Sequence, residues 1–178
     1  KIINHVLSLI EHAEHTWRLD QPEQWEQLVE SICAIVYLIT SSTKAVAHLC
    51  DSGEERLMEL ITAMTRIGFE AASSMLKYGL HDTCLAAIGN IARTERFRPL
   101  LISGGAVSMI DRVMMSAVSL NESHHVAQCI VTLRTLASDD ESNTEVVKLG
   151  GLSALLKAFK YVNTASKKLH GNLNPGLF

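Results

Sequence analysis

Apolar residues recur every three or four positions along nearly the whole chain, and no stretch shows the sustained alternation of a half-buried strand. The clearest example is the segment 20–40, DQPEQWEQLVESICAIVYLIT. It opens with a helix start signal at Pro22, where a missing N–H costs nothing. Its apolar stripe, which we expect to be buried, consists of Trp25, Leu28, Val29, Ile32, Ile35, Val36 and Ile39. The pattern predicts an all-α fold.

A glycine corner recurs along the chain. Each glycine destabilises a helix interior by roughly 0.8–1 kcal/mol relative to alanine, so glycines inside a helical pattern indicate a corner between two helices. Three stretches join a short and a longer helix in this way: AHLCDSGEERLMELITAM from Ala47, PLLISGGAVSMIDRVMM from Pro99 and EVVKLGGLSALLKAFK from Glu145. Their corner glycines, which can adopt φ > 0, are Gly53, Gly104 and Gly150, spaced 51 (104 − 53) and 46 (150 − 104) residues apart.

A long apolar helix and a short polar bend lead into each corner. The bends carry side-chain oxygens that can cap the following helix, at Ser41 to Thr43, at Thr94 with Glu95, and at Ser138 to Ser142. The repeating unit is therefore a short helix, a corner, a longer helix, a turn and a second long helix. Its period is close to the roughly 40–47 residues of a two- or three-helix solenoid unit.

With these segments the chain resembles the armadillo-repeat family, in which a short first helix and two longer helices stack into a superhelix. The resemblance is carried by SGGAVSMI at 103–110, LGGLSALL at 149–156 and AAIGNIA at 86–92. It covers roughly residues 25–162, about three repeats. It implies a right-handed α-solenoid. HEAT repeats, which are also helix pairs, are the alternative.

The resemblance also implies a division of the chain. Residues 1–162 would form the armadillo-like repeat domain, with a partial repeat at 1–19 and about three repeats at 20–162. Residues 163–178, NTASKKLHGNLNPGLF, lose the apolar periodicity and carry Gly, Asn and Pro, so we expect a linker or frayed tail. Both ends lack the polar capping units of a finished solenoid, and we expect further repeats or another domain to flank this piece.

In armadillo proteins that capture extended peptides, the last helix of each repeat presents an Asn that hydrogen-bonds the bound backbone, often with a Trp one turn earlier. Here the Asn positions fall on Leu38, Asn90 and Thr135, and the Trp positions on Ala34, Ala86 and Val131. Only Asn90 matches. This departure argues against recognition of nuclear import signals.

A less regular binding surface is predicted on the same helices. Its candidate partner-binding residues are Asn90, Arg93, Gln128 and Arg134. Arginine forms bidentate bonds to carboxylates, so acidic partner segments suit these positions, although exposed arginines are also common on any surface. Arg96 and Arg98 form a second basic cluster with Arg93 in the bend.

Composition narrows the partner classes. The formal net charge of −3 provides no global field for nucleic acid or for an anionic membrane. No apolar run reaches the roughly 18 residues that span a bilayer, so we expect no direct membrane insertion. The cysteines Cys33, Cys50, Cys84 and Cys129 show no CxxC pair and suit buried reduced thiols, which favours the cytoplasm, with the nucleus as the alternative.

Motifs for catalysis or cofactor binding are not found. SGGAVS lacks the spacing of a phosphate loop, and no nucleophile elbow occurs. His12 with His15, and His125 with Cys129, each offer two metal ligands on one helix face, and two ligands do not complete a four-ligand site. We therefore predict no metal, no cofactor and no enzymatic activity.

The sequence predicts a non-enzymatic scaffold or adaptor that binds a protein segment along the concave face of its repeats. Two alternatives stay open. The chain is a self-association or autoregulatory domain that uses its end repeats, or it is a metabolite-sensing regulatory domain with a charged ligand near Arg93 or Arg134.

Overall fold

A computed structural model describes residues 2–16, 22–42, 44–46, 55, 58–66 and 79–171. All regular elements in these ranges are helical and none is a strand, which confirms the predicted all-α class. We number the helices α1 (Ile2–Thr16), α2 (Pro22–Thr40), α3 (the segment 58–66), α4 (Gly79–Ala92), α5 (Arg98–Ser103), α6 (Ala106–Leu120), α7 (Ser123–Leu136), α8 (Asp140–Lys148) and α9 (Gly151–Gly171). A 3₁₀ turn, Glu95–Phe97, precedes α5.

Helix α2 begins at Pro22, where the start signal predicts it. Its predicted stripe is correct for Ile32 and Val36, which are buried, but wrong for Ile35, which is 45 % exposed. The buried side of α2 is centred on Cys33 rather than on Ile35, because α2 packs against α4 along that side. The side chains of Trp25 and Val29 lie outside the described residues.

The two glycines of each described corner have different tasks. Gly105 and Gly150 have φ of 90° and 95°, and each directly precedes the longer helix. Gly104 does not adopt a positive φ, because its φ is −73°, and the left-handed residue of this corner is Gly105. A Cβ on Gly104 would instead lie 2.9 Å from Ile61 Cγ2, so this glycine permits close approach of α3. Gly53 lies outside the described residues.

At the corner formed by Gly150 and Gly151, Gly151 is the glycine that permits close packing. A Cβ there would overlap Val146 Cγ1 and lie 2.8 Å from the Val146 carbonyl oxygen. The two positive-φ glycines, Gly105 and Gly150, lie 45 residues apart (150 − 105).

The predicted caps are partly correct. Asp139 Oδ1 accepts a hydrogen bond from the Ser142 N–H at 2.8 Å and caps α8, and Ser42 Oγ accepts from the Ala45 N–H at 3.3 Å. Thr94 makes no side-chain cap bond, and this prediction is wrong.

Helix α9 continues to Gly171, past the boundary at 163 where we expected a linker. The loss of apolar periodicity does not end the helix, because residues of ordinary helix propensity follow until Gly171. Residues 163–171 are therefore helical, where we expected a linker or a frayed tail. Residues 172–178 lie outside the described ranges.

The core consists of two clusters that share two helices, α3 and α4. Ile61 of α3 belongs to the larger cluster, and Leu60 and Met64 of α3 belong to the smaller. The larger cluster joins α4 to α9 through residues such as Leu85, Phe97 and Ile110, whereas the smaller joins α1 and α2 to α4 through residues such as Ile10 and Cys33. Cys84 and Ala87 of α4 belong to the smaller cluster, while Leu85, Ile88 and Ile91 belong to the larger.

Within the described ranges, no single helix is long and apolar enough to cross a membrane, and Glu95–Ser103 with Ala106–Leu120 reach that length only together, across a 71° bend.

Candidate functional site

Three long helices, α2, α4 and α7, pack side by side, α2 on α4 and α4 on α7. Small side chains allow the close approach. Cys33 Sγ and Cys84 Sγ are 3.4 Å apart between α2 and α4. Between α4 and α7, the buried Thr132 Oγ1 is 3.4 Å from the Leu85 carbonyl oxygen, and a Cβ on Gly89 would meet Thr132 Oγ1 at 3.7 Å.

The three helices run in the same direction, because residues near their C-terminal ends meet. Asn90 Nδ2 donates a hydrogen bond of 3.5 Å to Ser41 Oγ, which joins the end of α4 to the end of α2. Thr132 and Gly89, each within the last turns of its helix, join the ends of α4 and α7. We call the surface that carries Leu38, Asn90, Arg93, Val131 and Arg134 near these ends the α2–α4–α7 face.

Asn90 is half-buried, and its side-chain amide is engaged with Ser41. The equivalent position on α7, Thr135, donates its hydroxyl to the Val131 carbonyl oxygen at 3.0 Å, within its own helix. The equivalent position on α2, Leu38, is 68 % exposed. These three positions therefore do not present a series of free side-chain amides to a bound peptide. Only Asn90 of the three is an asparagine, as the sequence already shows.

Arg93 and Arg134 are both exposed at the C-terminal ends of α4 and α7. Within the part of the chain that the structure describes, neither guanidinium makes a hydrogen bond or ion pair. Both cations lie at negative ends of helix dipoles, which favours their charge there. These two predicted residues are free to bind an external carboxylate.

Gln128 is half-buried and lies six residues before Arg134, about 9 Å back along the axis of α7. Its backbone carbonyl accepts the Thr132 hydroxyl at 3.0 Å. The structure therefore places Gln128 on the same helix as Arg134 but away from the helix ends, where the other predicted residues are.

The second basic cluster divides into three different environments. Arg98 Nε donates to the Ala92 carbonyl oxygen at 2.8 Å, and its Nη1 donates to Asp139 Oδ2 at 2.6 Å, so this side chain is committed to the fold. Arg96 stacks on Phe97, with its guanidinium carbon 4.7 Å from the ring centroid. Arg98 is therefore unavailable to an external partner, whereas Arg93 and Arg96 are exposed.

Sequence reasoning did not select the apolar part of this face. Leu38 and Val131, at 68 % and 56 % exposed, stand on either side of α4, and Ile35 lies one turn before Leu38. A signal was present in the sequence, because the apolar residues Leu38 and Val131 stand at the Asn and Trp positions of the armadillo resemblance, which that resemblance places on the exposed side of each helix. The face combines apolar contacts with two free cations.

A polar cluster in which only His125 is buried lies at the opposite, N-terminal ends of α4 and α7. Asp82 Oδ1 is 3.5 Å from His125 Nε2, and Asp82 Oδ2 is 3.6 Å from the exposed His124 Nε2. Burial, and to a smaller extent the negative charge of Asp82, raises the pKa of the Cys129 thiol to about 12, so the thiol is protonated at neutral pH.

No group of three or more ligand side chains placed to hold a metal occurs among the described residues. His15 of the other candidate pair lies outside those whose side chains are described.

Two cavities lie away from the predicted site residues. One, of about 550 Å³, lies between α1 and α3 and is lined by Leu7, Glu11 and Glu59 among others, and one of about 350 Å³ lies between α5 and α8. Neither is lined by Arg93 or Arg134. They therefore give no support to a metabolite site at these arginines.

In comparisons with known proteins, no family model matches the sequence, and neither a curated protein nor a solved structure matches it at a significant level.

Proposed function

We propose that this chain is a right-handed solenoid of armadillo-like repeats that acts, without catalysis, as a scaffold for an extended protein segment. Support for the repeat arrangement comes from the 45-residue spacing of the positive-φ glycines and from the parallel stacking of α2, α4 and α7. The α2–α4–α7 face is the binding surface in this proposal.

The observation that carries the proposal is the pair of exposed arginines without a partner, Arg93 and Arg134, beside exposed apolar side chains. A planar guanidinium binds a carboxylate with two parallel hydrogen bonds, and arginine is enriched where proteins bind each other. Leu38 and Val131 supply apolar area that a partner side chain covers. The preferred partner is an extended acidic segment with apolar residues between its carboxylates.

Asn90 has a supporting task in this proposal. Its amide joins α2 to α4 through Ser41, which fixes the distance between the apolar surface at Leu38 and the cation at Arg93. A bound segment therefore meets a preformed surface and little ordering free energy is required.

The test is a selection of peptides from a random library displayed on phage, with the immobilised chain as the target. We expect enrichment of peptides that carry two or more Asp or Glu residues together with apolar residues. Binding of the selected peptides should weaken by about tenfold or more in Arg134→Glu, because one paired charge is worth about 1.4 kcal/mol or more once a like charge replaces it.

Arg112→Glu is the matched control, since Arg112 is an exposed arginine on α6 outside the α2–α4–α7 face and the change in net charge is the same. Equal weakening in both variants would show a non-specific charge effect and would contradict the proposal. A selection without acidic peptides would contradict it as well.

A further inference from the structure

The cavity of about 350 Å³ between the short helices α5 and α8, which we call the α5–α8 groove, has walls that the fold holds in place. Both helices begin at the same end of the groove, where Arg98 Nη1 donates to Asp139 Oδ2 at 2.6 Å and joins them. Asp139 also accepts hydrogen bonds from the backbone N–H and the side chain of Ser142. The distance between the two walls is therefore set by contacts within the chain.

Part of the lining of the α5–α8 groove is apolar. Pro99 and Ile102 belong to α5, and Leu149 directly follows α8. Ile102 is buried, whereas Pro99 is exposed and Leu149 is 50 % exposed. The cavity volume is near the lower end of the range of about 300–1,000 Å³ for ligand pockets, which suits one long side chain better than a large cofactor.

The charged part of the lining is acidic. Glu141 and Glu145 stand four residues apart on one side of α8, and no lysine or arginine is among the described residues that line the groove. Glu145 is paired with Lys148 at 2.6 Å, while the exposed Glu141 forms no ion pair with the described part of the chain. Like charges one turn apart on a helix repel each other, and a cation bound between them removes this repulsion. The charge of the groove therefore complements a cationic ligand.

The hydroxyl groups of the lining favour a ligand that brings several hydrogen-bond donors. The Ser103 hydroxyl donates to the Leu100 carbonyl oxygen at 3.1 Å, so its oxygen retains lone pairs that accept hydrogen bonds. The Ser142 hydroxyl is already used by Asp139. Two carboxylates and one hydroxyl oxygen are thus available as acceptors, while both hydroxyl donors are committed. A guanidinium group carries five N–H donors and no acceptor, and its three-carbon stem is apolar.

We propose that the α5–α8 groove binds an arginine side chain of a partner protein. The aliphatic stem of this arginine lies between Ile102 and Leu149. Its guanidinium binds the Glu141 carboxylate with two parallel hydrogen bonds, and the remaining N–H groups are directed toward Glu145 and Ser103. Lysine is a poorer ligand, because a point-like ammonium does not form the parallel pair of bonds that a planar guanidinium forms with a carboxylate.

The surroundings of the groove also define the residues next to the bound arginine. Pro99 and Leu149 are exposed beside the acidic lining, so apolar residues on either side of the arginine cover them. The α2–α4–α7 face is proposed to bind carboxylates, and the α5–α8 groove binds a cation. The two sites therefore select segments of opposite charge.

Titration of the ¹⁵N-labelled chain with a blocked pentapeptide, Ala-Leu-Arg-Leu-Ala, tests the site by NMR. The matched probe carries citrulline in place of arginine, which retains the shape and removes the charge. We expect the arginine peptide to shift the backbone amide resonances of Ser103, Glu145 and Leu149 with a dissociation constant of about 1 mM or below, and the citrulline peptide to bind about tenfold more weakly. Equal binding of the two peptides, or the absence of shifts at these residues at about 10 mM peptide, overturns the proposal. A lysine peptide that binds as tightly overturns the choice of arginine.

Variants of the chain test which carboxylate is used. Glu141→Gln retains the size of an exposed side chain and removes its charge, so the arginine peptide should bind about tenfold more weakly. Glu95→Gln is the matched control, because Glu95 is an exposed glutamate outside the groove and the change in net charge is the same. Equal weakening in both variants shows a non-specific attraction and overturns the proposal. Circular dichroism confirms that each variant is folded, and Arg134→Glu should bind the arginine peptide like the wild type, which separates this result from the fate of the proposed function.

Discussion

Arg98 Nη1 lies 2.6 Å from Asp139 Oδ2, so that two bends 41 residues apart in the sequence meet side by side. Asp139 at the same time accepts the Ser142 N–H and caps α8. One carboxylate thus starts a helix and holds two successive bends together.

This arrangement predicts an acid-sensitive contribution to stability. Two hydrogen bonds to Asp139 lower its pKa to about 2, chiefly the one from the Ser142 backbone N–H and secondly the one from the Arg98 guanidinium. An unfolded aspartate titrates near 3.9, so the contribution is fully present above about pH 4 and is lost as the pH falls through about 2. The urea midpoint of the wild type should therefore decrease more between pH 4 and pH 2 than that of Asp139→Asn. Asp140→Asn removes a neighbouring carboxylate that lacks both contacts, and it should retain the wild-type decrease.

Alanine and asparagine should destabilise the chain in opposite order at Gly150 and at Gly151. At Gly150, with φ of 95°, alanine should destabilise by about 1–2 kcal/mol, and asparagine by less because it tolerates the left-handed region. At Gly151 the larger asparagine should be worse than alanine, which itself should cost about 1–3 kcal/mol because its Cβ meets Val146. Urea unfolding of the four variants measures this order. The same order at both positions would contradict the separate tasks assigned to these glycines.

Truncation of a buried and an exposed leucine should separate core packing from surface contact. Leu101 of α5 is completely buried, so Leu101→Ala should lower the free energy of unfolding by about 2–5 kcal/mol. Leu38→Ala removes the same atoms from a side chain that is 68 % exposed, and the change should be within about 0.5 kcal/mol. Chemical denaturation gives both values. A large loss in Leu38→Ala would show that Leu38 belongs to the core rather than to the α2–α4–α7 face.

Thiol reactivity should report the integrity of the helix stack. Cys33, Cys84 and Cys129 are buried. The hydrogen bond with Cys33, together with burial, raises the pKa of Cys84 well above its ordinary value. Burial raises the pKa of Cys129 to about 12. A Cys50→Ser chain, which retains these three thiols, should therefore react slowly with a disulfide reagent at neutral pH and completely once it is unfolded. Rapid reaction of the folded chain would show that α4 separates from α2 or α7.

The sequence predicted the helical class because periodicity is a local property that each segment carries by itself. It did not distinguish Gly104 from Gly105, since in a glycine pair the residue that needs φ > 0 and the residue that needs space look alike. The space at Gly104 is defined by Ile61, which lies 43 positions earlier (104 − 61), and only the packed structure brings the two together.

The candidate site was predictable to a similar extent. Arg93 and Arg134 were selected because they lie beside Asn90 and Thr135 on their helices, and their role in binding stays a prediction. The engagement of Asn90 with Ser41 was not predictable, because the contact joins residues 49 positions apart. Arg98 could not be separated from Arg93 for the same reason, since its partner Asp139 belongs to the next bend.

Helix α4 contributes side chains to both core clusters, Cys84 and Ala87 to one and Leu85, Ile88 and Ile91 to the other. In an array whose units contact only their neighbours, cooperativity passes from one end to the other through such shared elements. We therefore expect the two halves of the described chain to unfold together rather than in turn, and a loss of order in α4 to destabilise both α1 and α9.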